Sequence, residues 1–217
     1  MRAYYTTGLV ACGFFMKFQR VPLLFKKERN KIMNKKIFNL TRASVMIALA
    51  AALSFFKVFE LGNGGSVTLG SMVPIILISF ILDFKWGILT AFVYSLLQML
   101  LQGIAAPPVE SFVWYFLVIC LDYIFAFTVL GLAGGITRTI KNINVKVITG
   151  TVFVVTLRFL CHLLSGIIIW GVYAPEGQSV FVYSLIYNGS YMLGELIITV
   201  VIMTLISNIK FFKEKIA

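Results

Sequence analysis

The stretch RFLCHLLSGIIIWGVYAPEGQ, residues 158–178, decides how this chain is read. Its first part is a continuous apolar run of the kind that crosses a bilayer as a helix. Set into that run are Arg158 and His162, the single histidine among 217 residues, and the run ends through Trp170 and Tyr173. Ionisable side chains inside a lipid-embedded helix are costly. They therefore face protein or a water-filled cavity and mark function by default.

Working outward, the rest of the chain has the same character. It is 60% hydrophobic and 12% charged, about half the charged share of a soluble domain. Six apolar stretches are each long enough to cross: 41–60, 67–84, 86–105, 112–136, 147–172 and 180–207. Short polar segments part them, including LGNGGS, AAPPVES, TRTIKNINVK and APEGQS. Backbone groups in lipid must be satisfied within the segment, so helices are expected. The runs do not alternate, which excludes a barrel. The expected fold is an all-α integral membrane protein with six transmembrane helices, one domain over 33–217.

The basic residues fall on one side. Lys35, Lys36 and Arg42 precede the first stretch, Lys85 follows the second, Arg138, Lys141 and Lys146 follow the fourth, and Lys210, Lys213 and Lys215 close the chain. The opposite side carries Lys57 with Glu60, Glu110 and Glu176. This bias places both termini in the cytoplasm. It also explains the net charge of +11 without nucleic acid. Residues 1–32 fit neither a span nor a cleavable signal peptide. They read as translation upstream of a start at Met33, with a basic amphipathic surface anchor as the alternative.

Asp122, Arg158, His162 and Glu195 lie well inside the spans. Counted from the outer ends at 1.5 Å per residue, Asp122 and His162 each lie about 16 Å down and Asn188 about 12 Å down. Arg158, His162, Gly166 and Trp170 recur every four residues and form one stripe, with Gly166 leaving a hole between His162 and Trp170. Tyr187, Tyr191 and Glu195 form another, with Asn188 beside it and Tyr183 about one turn above. A pocket open to the outside, anionic at Asp122 and walled by Trp170 and tyrosines, suits a planar cation. Trp170 and Tyr173 also fit an interfacial aromatic belt. Arg158, deeper, reads as structural, with Glu195 as its available counter-charge.

In the first span Ser44, Ala48 and Ala52 form a small-residue ridge. It suits close helix packing, either within the chain or against another membrane protein. Cys12, Cys120 and Cys161 have no metal or disulfide spacing. Nucleotide-binding, zinc-protease and hydrolase motifs are absent from the sequence, so no cofactor, metal or catalytic residue is expected.

The stretches NGGSVTLGSMVPI (63–75), LDYIFAF (121–127) and RFLCHLLSGIIIWGVYAPEGQSVFVYSLIYNGSYM (158–192) resemble the substrate-binding S component of thiamine-specific energy-coupling factor (ECF) transporters, the ThiT type. The resemblance covers about residues 38–212. It implies a bacterial cell-membrane protein that binds thiamine with high affinity under the loop joining spans one and two. Such a protein transports only with a transmembrane T component and two ATPase subunits, which hydrolyse the ATP. His162, Gly166, Trp170, Tyr183 and Asn188 match pocket positions of that family. There Trp170 would stack on the ligand and His162, Tyr183 and Asn188 would hydrogen-bond it. Asp122 and Tyr123 fall where the family has an acid, usually glutamate, followed by tyrosine. Ala48 and Ala52 match its docking motif toward the T component. The tryptophan that some members carry on the covering loop is missing between 57 and 70.

Three rival readings share these residues. One is an S component for another vitamin or a thiamine precursor. Another is a stand-alone secondary transporter using Asp122 and His162 as a proton relay. The third is an intramembrane enzyme with the same pair as acid and base, which lacks a nucleophile or metal set.

Overall fold

Long apolar runs without internal proline become helices here. The computed structural model describes residues 33–62 and 64–216, so the reading of 1–32 lies outside the described residues. Five helices are long and apolar enough to cross a membrane: α1 (Met33–Ser54), α3 (Phe84–Gln102), α4 (Phe112–Ile136), α5 (Ile143–Ile168) and α6 (Val180–Asn208). A short helix, α7 (Lys210–Ile216), follows. Asn142 starts α5 by accepting the backbone N–H groups of Asn144 and Val145 at 3.0 and 3.2 Å, which satisfies two donors that a helix start leaves without partners.

The second predicted span is not one helix. Strands β1 (Lys57–Glu60) and β2 (Ser66–Thr68) pair antiparallel, with Phe59 opposite Val67 and Glu60 opposite Ser66. Only then does α2 (Val73–Ile81) begin, with proline in its first turn. Nine residues rise about 13 Å, far short of a crossing. The cause is local. Gly64 and Gly70 have φ of +98° and +83°, a region open to glycine, and β-branched Val67 and Thr68 between them favour extended chain. Hydropathy averages over this break because both pieces are apolar.

Buried neighbours let this interrupted segment exist. The chain descends along α6. Gly65 lies at Tyr187, Val67 packs on Gly194, Thr68 meets Glu195, and Gly70 reaches Ile198 and Ile202. Eight of the nine α2 residues are buried, which agrees with a helix apolar on every side. Non-helical backbone at membrane depth persists only when protein encloses it.

Met72, Ile75, Ile76, Tyr94, Leu130, Val154 and Met203 form the centre of the core. The Tyr94 hydroxyl donates to the Ala50 carbonyl at 3.4 Å and accepts from the Gln98 amide. Helices α5 and α6 run side by side and supply two walls of the site. The Lys146 ammonium holds the Ile216 carbonyl at 2.6 Å, tying α7 to the first turn of α5.

Candidate functional site

Helix α4 changes winding over Ile119–Phe125, where seven residues form a π-helical segment. Asp122 and Tyr123 sit at its middle. A π segment shifts the faces of the residues that follow it, and such segments concentrate at functional sites.

Asp122 is the hub of the site. Its Oδ2 accepts from the Ser165 hydroxyl at 2.7 Å and from the Trp170 indole N–H at 3.0 Å. The same indole N–H lies 3.1 Å from Ser165 Oγ. His162 Nδ1 lies 3.2 Å from Asp122 Oδ1. On the far side of the ring, Arg158 Nε donates to His162 Nε2 at 3.4 Å. That nitrogen therefore carries the lone pair, and Nδ1 carries the proton that faces Asp122. The Arg158 guanidinium also lies 4.2 Å from the centroid of Phe127, a cation–π distance.

Two details differ from the sequence reading. The α5 helix ends at Ile168, so the helical stripe stops at Gly166. Trp170 stands in the turn beyond, with its indole folded back to Ser165 and Asp122. Nor does Gly166 leave a hole. A Cβ there would stand 2.1 Å from Ser184 Oγ and 2.9 Å from Asn188 Nδ2. The missing side chain lets α6 close onto α5.

Helix α6 contributes the opposite wall. The Asn188 amide donates to the Ser184 carbonyl and hydroxyl at 3.0 and 3.1 Å, and its Oδ1 accepts from the Tyr191 hydroxyl at 2.9 Å. Tyr183 and Tyr187 stack with centroids 5.9 Å apart. Tyr191 meets Tyr187 and His162 edge-on, each at 6.1 Å. Tyr123 reaches the loop after α3, donating to the Gly103 carbonyl at 2.8 Å and accepting from Ala105 N–H at 3.2 Å.

All seven predicted pocket positions, Asp122, Tyr123, His162, Gly166, Trp170, Tyr183 and Asn188, line one cavity of about 360 Å³. That volume lies within the range of about 300–1,000 Å³ for small-molecule sites. The β1–β2 hairpin covers part of it through Lys57, Glu60 and Gly64–Ser66. Arg158, read from sequence as structural, also lines it, and its place on the His162 stripe was the signal. Glu195 is not its partner. That carboxylate accepts from Thr68 instead, and Arg158 and Glu195 form no ion pair among the described residues. Ser165, fully buried, carried no sequence signal, because a lone serine in a span is ordinary. Ala48 and Ala52 are exposed on α1, while Ala50 and Ala51 are buried.

A family model described as Thiamine transporter protein (Thia_YuaJ) matches residues 40–213. The chain belongs to the thiamine transporter family. Among its relatives is the thiamine transporter ThiT of Bacillus subtilis (strain 168), 30% identical over 185 residues that cover 80% of this chain and 92% of that protein. ThiT of Lacticaseibacillus paracasei is 26% identical over 189 residues, covering 78% and 87%. A solved structure of ThiT from Listeria monocytogenes superposes with a TM-score of 0.66 at 22% identity, over 82% of this chain and 98% of that one. This last likeness concerns the fold. As a member of the thiamine transporter family the chain is a multi-pass bacterial membrane protein. Its relatives are named as transporters.

Proposed function

We propose that this chain is the high-affinity thiamine-binding subunit of an ECF importer, working with a transmembrane T component and two ATPases. The observation that carries the thiamine site is the Asp122 carboxylate held among aromatic faces in one cavity. Thiamine is a planar cation with an aminopyrimidine that needs polar partners. In this reading Asp122 supplies the opposing charge, Trp170 and the tyrosines supply stacking faces, and His162, Tyr183 and Asn188 supply hydrogen bonds. Ordering these groups before the ligand arrives lowers the cost of binding.

The partner assignment rests on the ridge of α1. Ala48 and Ala52 leave a shallow exposed strip where a second helix can approach closely. The topology proposed is six crossings with both termini cytoplasmic. The one-sided basic residues support it, as does the descent of β2 and α2 along α6.

Titration of the detergent-purified chain from Met33 onward tests the reading. Saturable fluorescence quenching at submicromolar thiamine, lost in Trp170→Ala, is expected. Absence of quenching up to millimolar thiamine would overturn it.

A further inference from the structure

Glu195 is 3% exposed and lies outside the cavity lining, yet it makes a close contact with the segment that covers the cavity. Its Oε1 accepts the Thr68 N–H at 2.6 Å and the Thr68 hydroxyl at 2.7 Å. The Ser71 hydroxyl and N–H close around the same threonine oxygen at 2.8 and 3.2 Å. Thr68 ends β2 and is buried. Without Glu195 its N–H would have no partner, and a buried backbone donor without one is costly.

The hairpin is thus tied to α6 at two levels. The upper tie is Gly65 N–H to the Tyr187 hydroxyl at 3.1 Å, with the Tyr191 ring filling the space where a Gly65 Cβ would stand. The lower tie is Thr68 to Glu195, eight residues or about 12 Å further along the helix. The upper tie belongs to the cavity wall, and a ligand at Asn188 or His162 touches it through Tyr191. The lower tie touches no ligand. A hairpin that lifts to release a ligand would pivot about the point that stays fixed.

We propose that Glu195 is a positioning residue that anchors the root of the β1–β2 hairpin and thereby sets how long the occupied cavity stays closed. The proposal rests on thiamine being the ligand. Its test reads both ligand kinetics and the ligand-free protein. Thiamine dissociation by stopped-flow fluorescence is expected to quicken about tenfold or more in Glu195→Ala, because most affinity change within one site lies in the off-rate. Glu195→Gln keeps an acceptor oxygen in the same place and is expected to stay within about threefold of the parent. Thr68→Val removes one of the two bonds and falls between. In the ligand-free protein, amide exchange across 64–69 speeds in Glu195→Ala and returns in Glu195→Gln. Lower thermal stability of Glu195→Ala with parental dissociation and exchange would overturn the proposal. So would Glu195→Gln behaving as Glu195→Ala while Thr68→Val behaves as the parent. Failure of the parent protein to bind thiamine would defeat the ligand assignment, and the exchange data would still decide the anchor.

Discussion

The Trp170 indole N–H and the Asp122 carboxylate stand 3.0 Å apart, although 48 residues separate them and neither lies in regular α-helix. A side chain expected to serve as a stacking face is therefore also a donor to the charged group. Trp170→Phe keeps an aromatic face and removes the donor. A hydrogen bond to a charged group contributes about 1.5–3 kcal/mol, so thiamine affinity is expected to fall about 10- to 100-fold. Isothermal titration of Trp170→Phe beside Trp170→Ala checks this. Parental affinity in Trp170→Phe would show that the donor carries nothing.

Ser165 tightens the same arrangement from a fully buried position. Ser165→Ala leaves Asp122 Oδ2 with the indole alone. The expected loss is about 1–2 kcal/mol of binding, or roughly 5- to 30-fold, with little change in fold. Asp122→Asn is expected to cost more, about 100-fold, because it removes the charge and turns an amide N–H₂ toward existing donors. The ordering of the two variants in one titration series is the check.

Gly166→Ala sets two effects against each other. Alanine gains up to about 1 kcal/mol of helix propensity over glycine. Overpacking costs about 1–3 kcal/mol, and Ser184 is poorly placed to move, since its hydroxyl donates to the Leu163 carbonyl at 2.9 Å. Net destabilisation and weaker binding are expected. The double variant Gly166→Ala with Ser184→Gly is expected to recover much of the loss in thermal melting.

Single cysteines test the topology, in a chain starting at Met33 with Cys120 and Cys161 replaced by alanine. An impermeant maleimide is expected to label Glu176→Cys in intact cells. Lys141→Cys should react only after permeabilisation. The reverse pattern would invert the orientation.

Much of this protein is legible from sequence because lipid imposes simple rules. Five of the six apolar stretches are long helices, since an unbroken apolar run has no other way to satisfy its backbone. Asp122, His162 and Asn188 line one cavity, and they are grouped in the sequence by counting rise along helices whose ends are marked by polar loops. Tyr123, beside Asp122, and Tyr183, about one turn above Asn188, stand out by position, and the family resemblance added a hydrogen-bonding role for Tyr183.

Other features depend on neighbours that hydropathy does not see. The stretch 67–84 is as apolar as a span, but it is a strand, a turn and a nine-residue helix, because Glu195 and the α6 wall supply partners for its exposed backbone. The hole expected at Gly166 is filled, because Ser184 of another helix occupies it. Arg158 turns to His162 and Phe127, while Glu195 accepts from Thr68 through Oε1. Sequence by itself determined that the chain lives in a membrane and where its long helices lie. Tertiary structure alone decided which of the polar groups meet, since hydrogen-bond partners in a low-dielectric interior are set by helix rotation, a π-helical shift and close helix contact, none of which periodicity encodes.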